Sequence, residues 1–371
     1  MKILQISDIA YPHIGGIERT VYKYGKEFVR NGHESYVLTS SFEKTKKIEN
    51  IENTVYHRVP KYILPFFSMS LKDFDIIHSH SYLSFYSLNL YKKIYRKKII
   101  FKHIHSIYGK NLRAYTGWNI SKILSIFEES LIKGECDAYI VPSNFTKNTI
   151  KNFGIDKDIY VVNHGPEYDS FPDKKEARKI LGIKDEEFII GFVGRMSYGK
   201  GPQDIIKIIP EILKYNRNVR LLLIGPNPTL KTSGIMGIRE HLEKRVKEMG
   251  IENNVEFLGF VEDEKMPYYY SSMDVFVMPS RNEGFGISIV NAMSAGVPVI
   301  AYDNTAIPET VGDGGILIPT GDTEKIKEWV LKIMENEEIR KMYSEKAIKR
   351  SREFDWGKNV KKLIEIYSSY L

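Results

Sequence analysis

Short runs rich in Ile, Val and Leu alternate along this chain with longer stretches whose apolar residues recur at helical spacing. The runs KILQIS (2–7), SYVLT (35–39), DIIHSH (75–80), KIIFKHIH (98–105) and AYIVPS (138–143) read as one series of strands. A second series follows in FIIGFVG (188–194), RLLLIG (220–225), VEFLG (255–259), VFVMPS (275–280) and VPVIAY (297–302). Continuous apolar runs separated by amphipathic helices predict parallel strands covered on both faces. Two such series predict an α/β chain of two doubly wound, Rossmann-like domains. The polar, two-proline stretch PEYDSFPDKKEARK (166–179) marks the boundary, giving domains at 1–168 and 169–355. The chain then ends in a helical stretch, DWGKNVKKLIEIYSSYL.

Open parallel sheets bind ligands outside the carboxyl ends of their strands, so residues just after strands carry the candidate chemistry. Two doubly wound domains are expected to face each other across a cleft lined by such residues. After the first strand, Gly15 and Gly16 precede a helical stretch. Adjacent glycines there either form a tight turn or let helix N–H groups approach an anion. After FIIGFVG, the loop RMSYGKG carries Arg195 and Lys200 just ahead of the next helix, a pattern that suits a diphosphate. After VFVMPS, the loop RNEGFG places Glu283 among glycines, and Asn291 follows within the helical ISIVNAMSAG. A carboxylate accepts hydrogen bonds from sugar hydroxyls, and glycines allow close approach. His105 ends a strand and so faces the same ligand edge, while His78 and His80 are equally consistent with a sheet-end core. The pairs Asp73/Asp75 and Asp156/Asp158 precede strands and read as turn residues. No His, Asp and Glu spacing resembles a zinc motif, and no metal site is predicted.

Composition narrows the classes. A chain of 371 residues exceeds what one core usually organises, and 42% apolar with 27% charged residues is a soluble globular balance. Cys136 is the single cysteine, which excludes an internal disulfide framework. The absence of a spanning apolar run, with a first segment that reads as a strand, predicts a cytoplasmic protein. The net charge of +7 suits an anionic partner without naming one. No nucleic-acid module is recognisable, and nucleic acid is not an expected partner. The dinucleotide fingerprint G-x-G-x-x-G is missing after the first strand, which argues against a dehydrogenase.

The ordered series GGIE, DIIHSH, HIHS, VPSNFT, GFVGRMSYGKG, LLLIGP, VEFLGFV, VFVMPSRNEGFGISIVNAMSAGVPVIA and IPETVGDGGILIPTGD resembles the retaining, GT-B-fold glycosyltransferases of family 4 (glycosyl transferases group 1) over nearly the whole chain. The resemblance implies a nucleotide-sugar donor held mainly by the second domain and a final helix, about 356–371, packed back on the first. It implies donor contacts from Gly15, Gly16, Arg195, Lys200, Glu283, Gly284, Phe285, Gly286, Ile287 and Asn291, with His105 on the acceptor side. Catalytic roles then fall to Arg195, Lys200, Glu283 and His105. It implies no cofactor and no metal in the chemical step: the acceptor attacks from the leaving group's face, and a phosphate oxygen takes its proton. The expected partners are a UDP-hexose and a glycan or lipid-linked acceptor.

One position departs from the family pattern. A second glutamate, expected to contact the nucleotide ribose, is replaced by Asn291. Asn keeps an acceptor oxygen but loses the charge, and charged hydrogen bonds are worth roughly 1.5–3 kcal/mol against about 1 for neutral ones. That substitution leaves room for a second reading, a non-catalytic nucleotide-sugar or glycan-binding protein of the same fold. A basic stretch with interleaved aromatics, YKKIYRKK (91–98), and the neighbouring RAYTGWNISKILSIF (113–127) suit either a solvated helix end or an anionic membrane surface. The second alternative would place the protein peripherally on the inner face of the cell membrane.

Overall fold

The computed structural model describes residues 1–13, 15–42, 45–60, 70–94, 98–107, 118–228 and 237–371. They fall into two compact units, one built from residues within 1–107, 123–165 and 355–371, the other from 118–122 and 166–354. The fold is mixed α/β with two parallel, Rossmann-like sheets.

The first unit holds strands β1 (Lys2–Ile6), β2 (Glu34–Ser40), β3 (Ile48–Ile51), β4 (Thr54–Val59), β5 (Ile76–Ser79), β6 (Ile99–His103), β7 (Ala138–Val141) and β8 (Ile159–Val161). Their order across the sheet is β3-β4-β2-β1-β5-β6-β7-β8, parallel except for the β3–β4 pair. Glu52 and Asn53, at φ 50° and 62°, turn that hairpin. Positive φ at both central residues gives a turn whose twist matches the strands it joins.

Alternation along each strand sends side chains to opposite faces, and both faces are buried. Leu4, Ile6, Ile77 and Ile100 enter one apolar core. Ile3, Ile76 and Phe101 enter the other, closed by Tyr24 and Phe28 of the Gly16–Arg30 helix and by Trp356, Val360, Leu363 and Tyr367 of the Trp356–Ser368 helix. His78 and His103 are two residues beyond Ile76 and Phe101, so they share this second face.

The second unit holds β9 (Phe188–Val193), β10 (Val219–Ile224), β11 (Val255–Gly259), β12 (Val275–Met278), β13 (Val299–Tyr302) and β14 (Ile316–Ile318), in the order β11-β10-β9-β12-β13-β14. All of these pairings are parallel. The order reverses direction at β9, whose neighbours are β10 and β12. This is the point in an open sheet where the loops leaving two adjacent strands diverge and a crevice forms.

Candidate functional site

In the second unit, the loops after β9 and β12 flank that reversal and are tied together by backbone. Arg281 N–H donates to Gly199 O at 2.8 Å, and Ser280 Oγ donates to the same oxygen at 3.3 Å. Gly201 ends the first loop at φ +79°, where a Cβ would come within 2.1 Å of Pro279 O. Only a glycine accommodates both the left-handed backbone and the contact with the neighbouring loop. The Pro202–Ile212 helix starts at the next residue.

This registration brings Lys200 to Glu283: Nζ lies 2.5 Å from Oε1, with the side chains 17% and 10% exposed. Glu283 is itself anchored through its backbone, its N–H donating to Thr305 Oγ1 at 3.1 Å. Beside the pair, Asp204 accepts from Arg281 Nη2 and from Tyr302 OH, both at 2.7 Å. Arg281 and Asp204 were not singled out from the sequence. The signal was present in the first turn of the helix after β9, where an acid faces a second cation from the loop after β12.

Arg195 stands half-buried at the opposite end of the Lys200 loop. Gly284, Phe285 and Gly286 are buried, and Gly286, at φ +99°, turns the chain into the Ile287–Ser294 helix. Phe285 directs its ring onto Phe354 at 5.3 Å and its carbonyl to Thr310 Oγ1, so its side chain belongs to the core. Ile287, half-buried, opens the helix. Asn291 is fully buried, and its amide is spent at both ends on one residue. Its Oδ1 accepts from Glu167 N–H at 2.8 Å, and its Nδ2 donates to Glu167 Oε2 at 2.7 Å. A carboxylate therefore sits against Asn291, carried by the chain segment that enters this unit.

In the first unit, Gly15 precedes the helix that follows β1, and Gly16 is its first residue. His105 lies just past β6, where its Nε2 is 3.1 Å from His80 Nδ1 and its ring stacks on His103 at 3.9 Å. His78, His80, His103, His105 and His164 form one cluster under Tyr24 and Trp356. Burial pushes the His78 and His164 imidazoles down to about 3 and holds His80, His103 and His105 well below the ordinary range. All five are consequently neutral at physiological pH. Two H-x-H pairs on adjacent parallel strands carry this arrangement in the sequence, since residues two apart share a face.

Of the basic stretch, Lys92 is committed to Asp137 at 2.7 Å and Lys98 donates to Phe74 O at 2.9 Å. Residues 95–97 and 113–117 lie outside the described residues. Tyr86, Ile94, Ile126 and Phe127 are exposed on the Tyr82–Ile94 and Trp118–Lys133 helices. Tyr82 OH joins these helices by donating to Glu128 Oε1 at 2.7 Å. No helix among the described residues is long and apolar enough to cross a membrane.

The sequence profile described as "Glycosyl transferases group 1" matches residues 173–350, and that described as "Glycosyltransferase Family 4" matches 14–169. The chain belongs to the group 1 glycosyltransferases of the GT-B fold. It is 28% identical to an uncharacterised glycosyltransferase of Methanocaldococcus jannaschii, over 99% of this chain and 98% of that one. It is 22% identical to the alpha-monoglucosyldiacylglycerol synthase of Streptococcus pneumoniae, over 84% of this chain and 74% of that protein. The crystal structure of Anabaena HepE in complex with UDP and glucose superposes with a TM-score of 0.79 at 20% identity, covering 100% of each chain. Membership supports transferase activity with a sugar nucleotide as donor.

Proposed function

We propose that this protein is a retaining hexosyltransferase that moves a hexose from a UDP-sugar to a glycan or lipid-linked acceptor. The Lys200–Glu283 pair carries this reading, because it joins the two loops that diverge at the β9–β12 reversal. An ammonium has three donors and a carboxylate two acceptor oxygens, so the pair can engage ligand on both sides without separating. Lys200 would donate to the donor diphosphate while Glu283 accepts from hydroxyls of the sugar. Cleavage of the sugar–phosphate bond builds negative charge on the leaving diphosphate, which Lys200, Arg195 and the backbone N–H groups at Gly284 to Ile287 would stabilise. The acceptor hydroxyl attacks from the leaving group's face and its proton passes to a phosphate oxygen, a route that asks for no protein nucleophile and no metal.

Asn291 would act on the nucleotide through Glu167, whose carboxylate it holds. Gly15, Gly16 and His105 are assigned to the donor and acceptor from the first unit. The UDP preference draws support from HepE, whose structure contains UDP and glucose. The lipid-linked acceptor draws support from the diacylglycerol named in the streptococcal relative and from the exposed Tyr86, Ile94, Ile126 and Phe127, which suit an anionic membrane surface on the cytoplasmic side. Thermal-shift screening of UDP-, GDP- and ADP-sugars identifies the donor. Transfer of its sugar to a lipid or glycan acceptor, with the product anomer read by NMR, then tests the reaction. An inverted anomer overturns retention. Donor binding with neither transfer nor hydrolysis would leave the non-catalytic binding protein as the correct reading.

A further inference from the structure

The neutral histidine cluster of the first unit has no part in the proposed transfer beyond His105, yet it leaves buried polar atoms without partners. His78 Nε2, His80 Nε2 and both ring nitrogens of His103 make no hydrogen bond. These residues are 0%, 2% and 1% exposed. Each unmet buried polar group costs about 1–3 kcal/mol, so a fold that collects several at one point is built around something that satisfies them.

The opposite nitrogens of His78 and His80 are committed. His78 Nδ1 lies 2.5 Å from Tyr367 OH, and His80 Nδ1 lies 3.1 Å from His105 Nε2. One nitrogen fixed by an outer partner and the other left open is the arrangement that orients histidine as a metal ligand. One nitrogen from each of His78, His80 and His103 lies within 4.8 Å of the others. Small ring rotations close such a set around an ion that takes imidazole nitrogens at about 2.0–2.1 Å.

We propose that His78, His80 and His103 form a buried three-imidazole site for a d10 transition-metal cation, Cu+ or Zn2+, outside the transfer chemistry. Imidazole donors exclude Mg2+ and Ca2+, which require oxygen ligands. Imidazole binds a metal in its neutral form, which an apolar, buried surrounding favours. The rings and hydroxyls packed on the trio, Tyr24, Tyr367 and His105, add no negative charge. A singly charged ion is therefore the easier one to bury. Ligation at Nε2 leaves the proton of His80 on Nδ1, which then donates to His105 Nε2 and puts the His105 proton on Nδ1. The metal thereby sets the tautomer of a residue assigned to the acceptor side.

The test refolds the purified full chain from urea in the presence of Zn2+, of Cu+ kept reduced, or of Mg2+. Gel filtration and elemental analysis then count the metal retained. One equivalent of zinc or copper is expected, with magnesium at background, and His103→Gln lowers retention at least about tenfold. X-ray absorption on the loaded wild-type protein should show three imidazole nitrogens, and it remains decisive where His103→Gln does not fold. Substoichiometric retention of both metals, retention unchanged in folded His103→Gln, or an absorption spectrum dominated by oxygen ligands overturns the site. In those cases buried water fills the cluster.

Discussion

Lys200 Nζ and Glu283 Oε1 lie 2.5 Å apart although the residues are 83 positions apart in the chain. The contact couples the loop after β9 to the loop after β12, so a change in either residue also frees the other. Glu283→Gln should lower kcat/KM at least about tenfold, equivalent to about 1.4 kcal/mol of transition-state stabilisation. Lys200→Ala should cost a similar amount, and the double variant less than the sum, because partners in contact are not additive. Steady-state kinetics on the three variants checks this. Independent, additive losses would mean the two residues do not work as a pair on the donor.

Arg195→Ala should weaken UDP binding measured by calorimetry while leaving thermal unfolding close to wild type. The side chain is half-buried at a loop end and outside the apolar core. Unchanged UDP affinity would move the diphosphate site away from the end of β9.

Gly201→Ala tests the registration of the two loops. The left-handed backbone at φ +79° and the approach of a Cβ to Pro279 O both oppose the substitution. A loss of about 1–3 kcal/mol is expected, lowering the Tm of the second unit by roughly 3–10 °C. Activity should fall further than Tm alone explains, since Lys200 and Glu283 lose their alignment. A variant with wild-type Tm would show that the loop relaxes freely.

Asn291→Glu should destabilise the second unit in a pH-dependent way. The new carboxylate replaces a donor to Glu167 Oε2 at a fully buried position. Burial and the neighbouring acid favour the protonated form, raising its folded pKa above the unfolded value near 4.3. The folded state then holds a proton that the unfolded chain has released. Stability accordingly falls as pH rises above about 4.3, until the folded pKa is passed. Thermal melts at pH 5 and pH 8 read the difference. An equal Tm deficit at both values would mean Glu167 swings away and the new acid reaches solvent.

Vesicle binding addresses the exposed apolar residues of the first unit. Sedimentation with anionic liposomes is expected, and Ile126→Ser with Phe127→Ser should weaken it by removing the inserting apolar surface. Absence of binding at low salt would assign the enzyme a soluble acceptor.

Much of this architecture is written in the apolar runs. Each of the ten runs falls on a strand, because a parallel strand buried on both faces leaves a continuous apolar signature. The β3–β4 hairpin is not legible in the same way. It sits at a sheet edge, where polar and charged residues interrupt the apolar ones and no continuous apolar run forms. β8 and β14, three residues each, are too short to show a period. At the candidate site, strand-end position identifies Lys200 and Glu283 as neighbours in kind but not in contact. Their pairing depends on the Gly201–Pro279 approach, a tertiary event. The commitment of Asn291 to Glu167 likewise joins segments 124 residues apart, which no local pattern encodes.

The Trp356–Ser368 helix completes the apolar face on which Ile3, Ile76 and Phe101 lie, with Tyr367 OH reaching His78. Strand β1 thus waits for the Trp356–Ser368 helix, far along the chain, before its core can close. During synthesis the amino-terminal sheet must persist with an open aromatic face while the whole of the other unit is made. A nascent chain stalled before Trp356 would expose Tyr24, Phe28 and Phe101 to solvent and to chaperones. Translation speed through the second unit, and not only sequence, sets how long that vulnerable interval lasts.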